Sequence, residues 1–237
     1  FYAEDWLFAP AILRAKQVID EGAIGDILFI KAKETHSGSH SPFAQKVRTC
    51  GGGAMIHLGV HPAAFARWLA ASEPAEIIGS TTPGLDGNLL HKNLEGEDWA
   101  VSIMTFRNGI RAVVEGNYIT QGGMDDRIEV YGTKGVVRID LTQGSPISVY
   151  SSVGYGYVLE KADSSLGWTS PAVDEYASLG YVGELSTFVK CVAEDLEPPK
   201  GVSGEDGLAA LAMVIATYRS AKEGRSIDPH ELWKELL

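Results

Sequence analysis

An almost wholly apolar segment runs from residue 54 to residue 70, directly after three glycines at 51–53. Before Arg67 its only polar side chains are His57 and His61. In an α-helix, residues four positions apart lie about 40° apart around the axis, so we expect both imidazoles to point into the same space. The stripe expected to pack against the core lies about a quarter-circle away and contains Met55, Leu58, Phe65 and Leu69.

Pro62 interrupts this helical pattern. Proline removes one helical hydrogen bond and clashes with the carbonyl four residues before it, here that of Leu58. It also disfavours helical angles at His61. We therefore expect either a kink at Pro62 or a new helix that has Pro62 in its first turn. The alternative role for the two histidines is hydrogen bonding to nearby backbone inside a buried helix.

Periodicity predicts the other elements. Apolar residues at helical spacing predict a helix over 9–22, and a strand over 25–34 follows it. Alternation with period two then predicts strands at 75–80, 99–106, 110–118, 127–131, 136–141 and 147–151. Short links such as 107–109 make consecutive strands antiparallel. Two helices close the chain. The second begins at a capping box, Ser203 with Asp206, and the first carries an apolar stripe of Val182, Leu185, Phe188, Val189 and Val192.

Runs of strands flanked by runs of helices indicate an α+β fold: a large, mostly antiparallel, open-faced sheet with helices packed on one face. We expect a single domain over residues 1–237. Strands 99–106 and 110–118 have apolar residues on both alternations, so we expect the uncovered sheet face to meet a second copy or another domain.

Charge and composition narrow the partners. The formal net charge is −11 and Lys and Arg are not clustered, which argues against nucleic acid. The sequence has no apolar stretch long enough to span a bilayer, so no membrane partner is expected. Cys50 and Cys191 form no Cys-x-x-Cys motif, which fits a reducing compartment, and we expect a cytoplasmic protein. The chain opens at Phe1, without an initiator Met, so we expect further sequence upstream.

Several motifs together carry a resemblance. In order they are Tyr-Ala-Glu-Asp-Trp-x-Phe-Ala-Pro, Glu-Gly-Ala-Ile-Gly-Asp-Ile, Gly-Gly-Gly-Ala-Met-Ile-His-Leu-Gly-Val-His, Gly-Thr-Lys-Gly, and Glu-x-x-x-Phe before a Gly-Glu-Asp-Gly-Leu helix. Over essentially the whole chain they resemble the C-terminal domain of the glucose–fructose oxidoreductase, inositol dehydrogenase and MocA family. The sequence itself has no Gly-x-Gly-x-x-Gly after a predicted strand.

The resemblance implies a function. NAD or NADP is expected to bind mainly to an N-terminal Rossmann domain that this chain lacks, present in cis or in trans. The substrate is expected to be a sugar, a polyol or a related cyclic alcohol, and the assembly a homodimer or homotetramer. His61 falls on the family's acid–base histidine, whereas His57 falls where an aspartate is more usual. We therefore expect His61 to accept the hydroxyl proton and His57 to be its partner or a substrate contact.

Further candidates for the sugar site follow from the same resemblance. A polar loop at 35–50 leads into the glycines and contains His36, His40 and Arg48, and a loop of this length is usually functional or disordered. We expect these three side chains to line the sugar pocket, with exposed surface as the alternative. Trp6 is expected to stack on the sugar or to pack in the core, and Gln121 to contact substrate or to be plain loop. Glu34 is expected to be a surface charge at a strand end.

Two other functions stay open. His36, His40, His57 and His61 would form a metal centre if they converged, because imidazole suits zinc, nickel or iron. The oxidoreductase interpretation assigns no metal ligand. The third function is a non-catalytic module for oligomerisation or for pairing with a separate nucleotide-binding chain.

Overall fold

We describe the fold from a computed structural model, which places residues 1–39, 41–121, 124–142, 147–156, 165–169 and 179–236. The helices in these ranges are α1 (Pro10–Asp20), α2 (Val47–Cys50), α3 (Val60–Ala70), α4 (Tyr181–Glu194), α5 (Gly204–Glu223) and α6 (Pro229–Leu236). The strands are β1 (Ile27–Thr35), β2 (Pro74–Thr81), β3 (Trp99–Phe106), β4 (Arg111–Asn117), β5 (Arg127–Gly132), β6 (Gly135–Asp140), β7 (Ile147–Ser151) and β8 (Gly167–Thr169).

All eight strands form one sheet in the order β2-β3-β4-β1-β5-β6-β7-β8. Every neighbouring pair is antiparallel except β1 and β4, which run parallel. The predicted α+β fold with a mostly antiparallel sheet is therefore confirmed. The parallel pair was not predicted, and neither was β8. The chain's first strand lies near the middle of the sheet, so its two partners, β4 and β5, come from far downstream.

Alternation along the strands separates the two faces of the sheet. One face is buried and apolar, with Ile30 and Ala32 on β1, Met104 on β3 and Val114 on β4. Helices α1, α3 and α5 cover this face, because their own apolar stripes complete the core. The other face is open. It carries charged side chains along β1, β5 and β6, and exposed Ile78 and Ile103 on β2 and β3.

The helix predicted from the apolar segment 54–70 combines two geometries. A π-helical turn occupies Met55–Gly59 and continues without a break into α3, which begins at Val60, so that Pro62 lies in the first turn of α3. Pro62 therefore lies in a first turn, as the second expected outcome required, but the chain is already helical before it. The predicted core stripe is confirmed, since Met55, Leu58, Phe65 and Leu69 are all buried.

The glycines allow this turn to lie against neighbouring backbone. A Cβ on Gly53 would lie 2.0 Å from the Glu97 carbonyl oxygen, and a Cβ on Gly116 of β4 would lie 2.8 Å from the Gly59 amide nitrogen. The Glu97 carboxylate accepts hydrogen bonds from the amides of Gly53 and Met55, at 2.9 and 2.8 Å. The Tyr218 hydroxyl of α5 also donates to it, at 2.8 Å. One buried side chain thus joins the glycine segment, the π turn and α5.

The predicted closing helices are both present, but the apolar stripe of α4 does not pack as expected. Val182, Leu185, Val189 and Val192 are between 61% and 72% exposed. Phe188 alone packs, against the rings of Phe1 and Phe8. The periodicity identified an amphipathic helix correctly, but it could not show that the described residues leave its apolar side uncovered. The capping box of α5 is confirmed.

Among the helices of the described ranges, none combines the length and apolarity that crossing a bilayer requires.

We predict that Gly53→Ala destabilises the protein strongly, because the added methyl group would overlap the Glu97 backbone. The expected loss is about 3 kcal/mol or more, at the upper end for overpacking a buried site. Urea denaturation followed by circular dichroism measures it. The matched control is Gly204→Ala at the start of α5, where an added Cβ meets nothing within 4 Å. It should be neutral or slightly stabilising, and equal effects of the two changes would contradict this account of the glycine segment.

Candidate functional site

His61 on α3 forms a buried pair with a glutamate near the start of the chain. Its Nδ1 lies 2.9 Å from Oε1 of Glu4, and Oδ1 of Asp5 lies 3.6 Å from the same nitrogen. Glu4 is completely buried, and its other carboxylate oxygen accepts a hydrogen bond from the Tyr2 hydroxyl at 2.9 Å. The His61 side chain remains a quarter exposed. The carboxylate therefore fixes one ring nitrogen, while part of the imidazole stays accessible.

Trp6 supports this pair from within the protein. Its ring is 4% exposed, stacks on the His61 ring at a centroid distance of 6.3 Å, and contacts Phe65 edge-on. Because its face is already covered by His61, the geometry favours the packing role over sugar stacking. Trp6 thus limits the rotation of His61 in addition to the hydrogen bond that His61 donates to Glu4.

The electrostatics of the pair favour a charged imidazole. Burial by itself disfavours the imidazolium, but the negative charges of Glu4, Glu34 and Asp5 outweigh this effect and hold the pKa of His61 well above its usual value. For Glu4, burial raises the pKa of the carboxyl, and the contacts with His61 and Tyr2 oppose that rise. His61 therefore carries a proton at neutral pH and can donate it, or take it back, at its exposed side.

His57 has a different partner and a different charge. Its Nδ1 is in hydrogen-bond contact with the hydroxyl of Tyr118, which is buried just after β4. Burial lowers the pKa of His57, and the nearby His36 and His61 lower it further, against an opposing effect of Glu34. The pKa of Tyr118 is raised by burial and by neighbouring negative groups. His57 is thus a neutral imidazole beside a protonated phenol.

The two imidazoles have different hydrogen-bond partners. His57 lies in the π turn and its ring contacts Tyr118, whereas His61 lies in α3 and its ring contacts Glu4. The two rings remain close enough for His61 to lower the pKa of His57. Turns of this kind are frequent at functional sites.

A second cluster lies at the end of β1. Glu34, His36 and Asp126 each place one potential ligand atom within 4.8 Å of the others. The expectation of a surface charge at Glu34 is wrong, since the residue is 6% exposed. Its position follows the alternation of β1, because Ile30, Ala32 and Glu34 point to the same buried face. Burial, together with the charge of Glu34, raises the pKa of Asp126 to about 7.

The other site residues predicted from the sequence, where the structure describes them, belong to neither cluster. Arg48 is exposed on α2, and Gln121 is exposed after β4. In the part of the chain that the structure describes, Arg48 forms no ion pair. His40 lies outside the described residues. Of the histidines proposed as a metal centre, His36, His57 and His61 lie in the described ranges, and neither group of three potential ligands found there contains two of them.

Three residues of the site, Glu4, Tyr118 and Asp126, were not predicted. The burial of Glu34 was not predicted either. Glu4 and Asp5 stand in the opening motif of the resemblance, but only the fold brings them beside α3. The alternation of β1 was the one signal in the sequence that could have identified a missed residue, because it places Glu34 on the buried face of the sheet. The structure also changes the interpretation of His57. This position holds no carboxylate, and the carboxylate beside His61 comes from Glu4 instead.

Comparison with known proteins now adds a family. Residues 12–138 match the family described as GFO/IDH/MocA C-terminal domain. The chain is 27% identical over 226 residues to inositol 2-dehydrogenase of Rhizobium meliloti, covering 93% of this chain and 62% of that protein. It is 27% identical over 223 residues to myo-inositol 2-dehydrogenase of Thermotoga maritima, with coverages of 92% and 61%. The chain thus spans about three fifths of the length of these relatives.

Solved structures agree with this assignment. A protein from gentamicin A biosynthesis, crystallised in complex with NAD, is 26% identical and superposes with a TM-score of 0.76 over 95% of this chain and 62% of that one. Levoglucosan dehydrogenase in complex with NADH and L-sorbose has the same fold, with a TM-score of 0.75 at 21% identity, over 95% of this chain and 64% of that one. The chain belongs to the GFO/IDH/MocA family and matches its C-terminal domain.

Proposed function

We propose that this chain is the substrate-binding and acid–base half of an NAD(P)-dependent oxidoreductase that acts on a sugar, a polyol or a related cyclic alcohol. The observation that carries the proposal is the buried Glu4–His61 pair, which holds an imidazole with one nitrogen fixed and part of the ring accessible. Relatives of the chain include inositol dehydrogenases and a D-apiose dehydrogenase of Paraburkholderia graminis, which support the substrate class.

The chemistry needs such a group. When hydride leaves the carbinol carbon for nicotinamide, the hydroxyl must lose its proton, and in the reverse direction the carbonyl oxygen must receive one. In this proposal neutral His61 takes the proton during oxidation, and Glu4 stabilises the imidazolium that forms. His57, held in place by the buried Tyr118 hydroxyl, would contact the substrate, because a neutral imidazole can donate to or accept from sugar hydroxyls. His36, Arg48 and Gln121 remain predicted substrate contacts, together with His40, whereas Trp6 would support His61 from the core.

The cofactor, NAD or NADP, would bind mainly to a nucleotide-binding domain outside these residues, in cis or in trans. The whole of 1–237 would act as one domain beside it. We further infer that a second copy of the chain covers the open sheet face around Ile78 and Ile103, to give a homodimer or homotetramer. Exposed apolar side chains on an otherwise charged face support this assembly.

The first prediction concerns the charge of His61 in the chain itself. NMR titration of the imidazole signals should give His61 a pKa above its usual value, because three carboxyl groups surround it. Glu4→Gln keeps the size of the side chain but removes its charge, so it should lower the pKa of His61. Glu76→Gln, an exposed position on β2, is the matched control and should change nothing. A His61 pKa that is insensitive to Glu4→Gln would remove the electrostatic basis of the proposal.

The second prediction concerns turnover in the complete protein, with its nucleotide-binding domain. His61→Ala should lower kcat by about 10²- to 10⁴-fold, the usual contribution of a positioned acid–base group. Cofactor affinity should barely change. Because oxidation requires neutral His61, kcat/KM for oxidation should rise with pH up to the pKa of His61, and kcat/KM for reduction should fall. Glu4→Gln should move both limbs to lower pH.

His57→Ala should lower kcat less than His61→Ala, because His57 does not carry the transferred proton in this mechanism. Steady-state kinetics of both variants, with sugars and inositols as substrates, separate the two roles. A His61→Ala protein with near-normal kcat would refute the acid–base role and leave the chain as a binding or assembly module.

The third prediction concerns assembly. Ile103→Lys should weaken self-association by about tenfold or more, because it would bury a charge in the interface. Sedimentation equilibrium measures the association constant. Leu89→Lys is the matched control, since Leu89 is an exposed apolar residue in the β2–β3 connection, away from the sheet face. If both variants associate as the unmodified chain does, the open face is not the interface.

A further inference from the structure

The cluster of Glu34, His36 and Asp126 lies where three strands end. Glu34 is at the end of β1, His36 follows it, and Asp126 directly precedes β5, the antiparallel neighbour of β1. Backbone contacts fix these positions: the Thr35 amide donates to Oδ1 of Asp126 at 3.1 Å, and the His36 amide donates to the carbonyl of Asn117 on β4 at 2.9 Å. The three side chains are therefore presented by a rigid edge of the sheet.

Two polar atoms in this cluster are unusual. In the described part of the chain, Oε2 of Glu34 and Nε2 of His36 are buried and have no hydrogen-bond partner. Nε2 of His36 lies 3.5 Å from Oε1 of Glu34, without the geometry of a hydrogen bond. Buried polar atoms are nearly always paired, so these two atoms are the ones that an additional group at the cluster would satisfy.

The cluster holds more carboxyl groups than cationic side chains, although the charge of His61 also interacts with Glu34. Lys33 and Arg127, the cations adjacent in sequence, both bind Asp125, with Lys33 Nζ 2.6 Å from its carboxylate and Arg127 Nε at 2.5 Å. Their side chains alternate to the other face of the sheet. The charged imidazole of His61 is bound to Glu4. Among the described residues, two buried carboxyl groups thus share a site with one imidazole, and burying unpaired charge is costly.

We propose that Glu34, His36 and Asp126 bind a divalent transition-metal ion of the zinc type. One imidazole and two carboxylates provide the nitrogen and oxygen donors that zinc accepts, and three protein ligands leave a fourth position for water or a ligand. Ligands at tetrahedral angles around zinc lie roughly 3.3–3.5 Å apart, which matches the 3.5 Å between His36 Nε2 and Glu34 Oε1. The carboxylate of Asp126 lies within 4.8 Å of both other ligand atoms and supplies the third ligand.

The site goes beyond the proposed oxidoreductase function and does not depend on it. It uses neither Glu4 nor His61, nucleotide is not required for an ion to bind, and only its ligand His36 is also a predicted substrate contact. It also differs from a four-histidine centre, since two of its three ligands are carboxylates that the sequence analysis did not predict as ligands. Metal binding and catalysis can therefore fail separately in experiment.

The test is calorimetric titration of the 237-residue chain with Zn²⁺ after treatment with a chelator. One equivalent should bind. Glu34→Gln and His36→Gln should each weaken binding by about tenfold or more, because each removes one ligand. Asp125→Asn is the matched control: it changes a neighbouring carboxylate that faces Lys33 and Arg127, and it should leave Zn²⁺ affinity unchanged within about twofold. Circular dichroism confirms that each variant is folded.

Visible absorption of the Co²⁺-loaded chain supplies a second measurement. Co²⁺ in a site with one nitrogen and several oxygen ligands gives d–d bands, and these should be lost in Glu34→Gln and retained in Asp125→Asn. Absence of Zn²⁺ and Co²⁺ binding by the unmodified chain would overturn the proposal. So would binding that survives Glu34→Gln but is lost in Glu4→Gln, because the ion would then lie beside His61.

Discussion

The carboxylate of Glu97 is the contact on which the candidate site depends most directly. It lies inside the protein and accepts hydrogen bonds from two amides of the glycine segment and from Tyr218 of α5. Burial raises the pKa of Glu97, and these hydrogen bonds oppose the rise. Without an acceptor here, the amides at the start of the π turn would be buried and unpaired, which costs about 1–3 kcal/mol for each group. The π turn directs His57 toward Tyr118 and determines where α3 begins.

The proposed acid–base pair would show how a fold can supply one function from different positions. The resemblance implies an aspartate one helical turn before the histidine, whereas here that position holds His57. Glu4 provides the buried carboxylate from another segment of the chain, on the side of His61 that faces the core. Because a single charged group beside an imidazole is enough to orient it and raise its pKa, the origin of the carboxylate in the sequence matters less than its distance.

Much of the fold was predictable from the sequence because its signals are local. The alternation of β3 and β7 gave their bounds, and Ser203 with Asp206 gave the start of α5. The parallel pairing of β1 with β4 was not predictable from the sequence, because it joins residues far apart in the chain. The same limit applies to the site. His57 and His61 were identified from their spacing. Glu4 approaches His61, and Asp126 approaches His36, only through tertiary contacts. The exposed stripe on α4 has a related cause, because periodicity describes a helix but not its neighbours.

The central position of β1 has a consequence for folding kinetics. The pairs β3–β4, β5–β6 and β6–β7 are local hairpins that close over short loops. In contrast, β1 must insert between β4 and β5, and the entropy of closing so large a loop is lost before its contacts form. A chain in which only the hairpins have formed has no completed sheet at the end of β1. Glu34, His36 and Asp126 are therefore brought together at a late stage of folding, when the two halves of the sheet have joined.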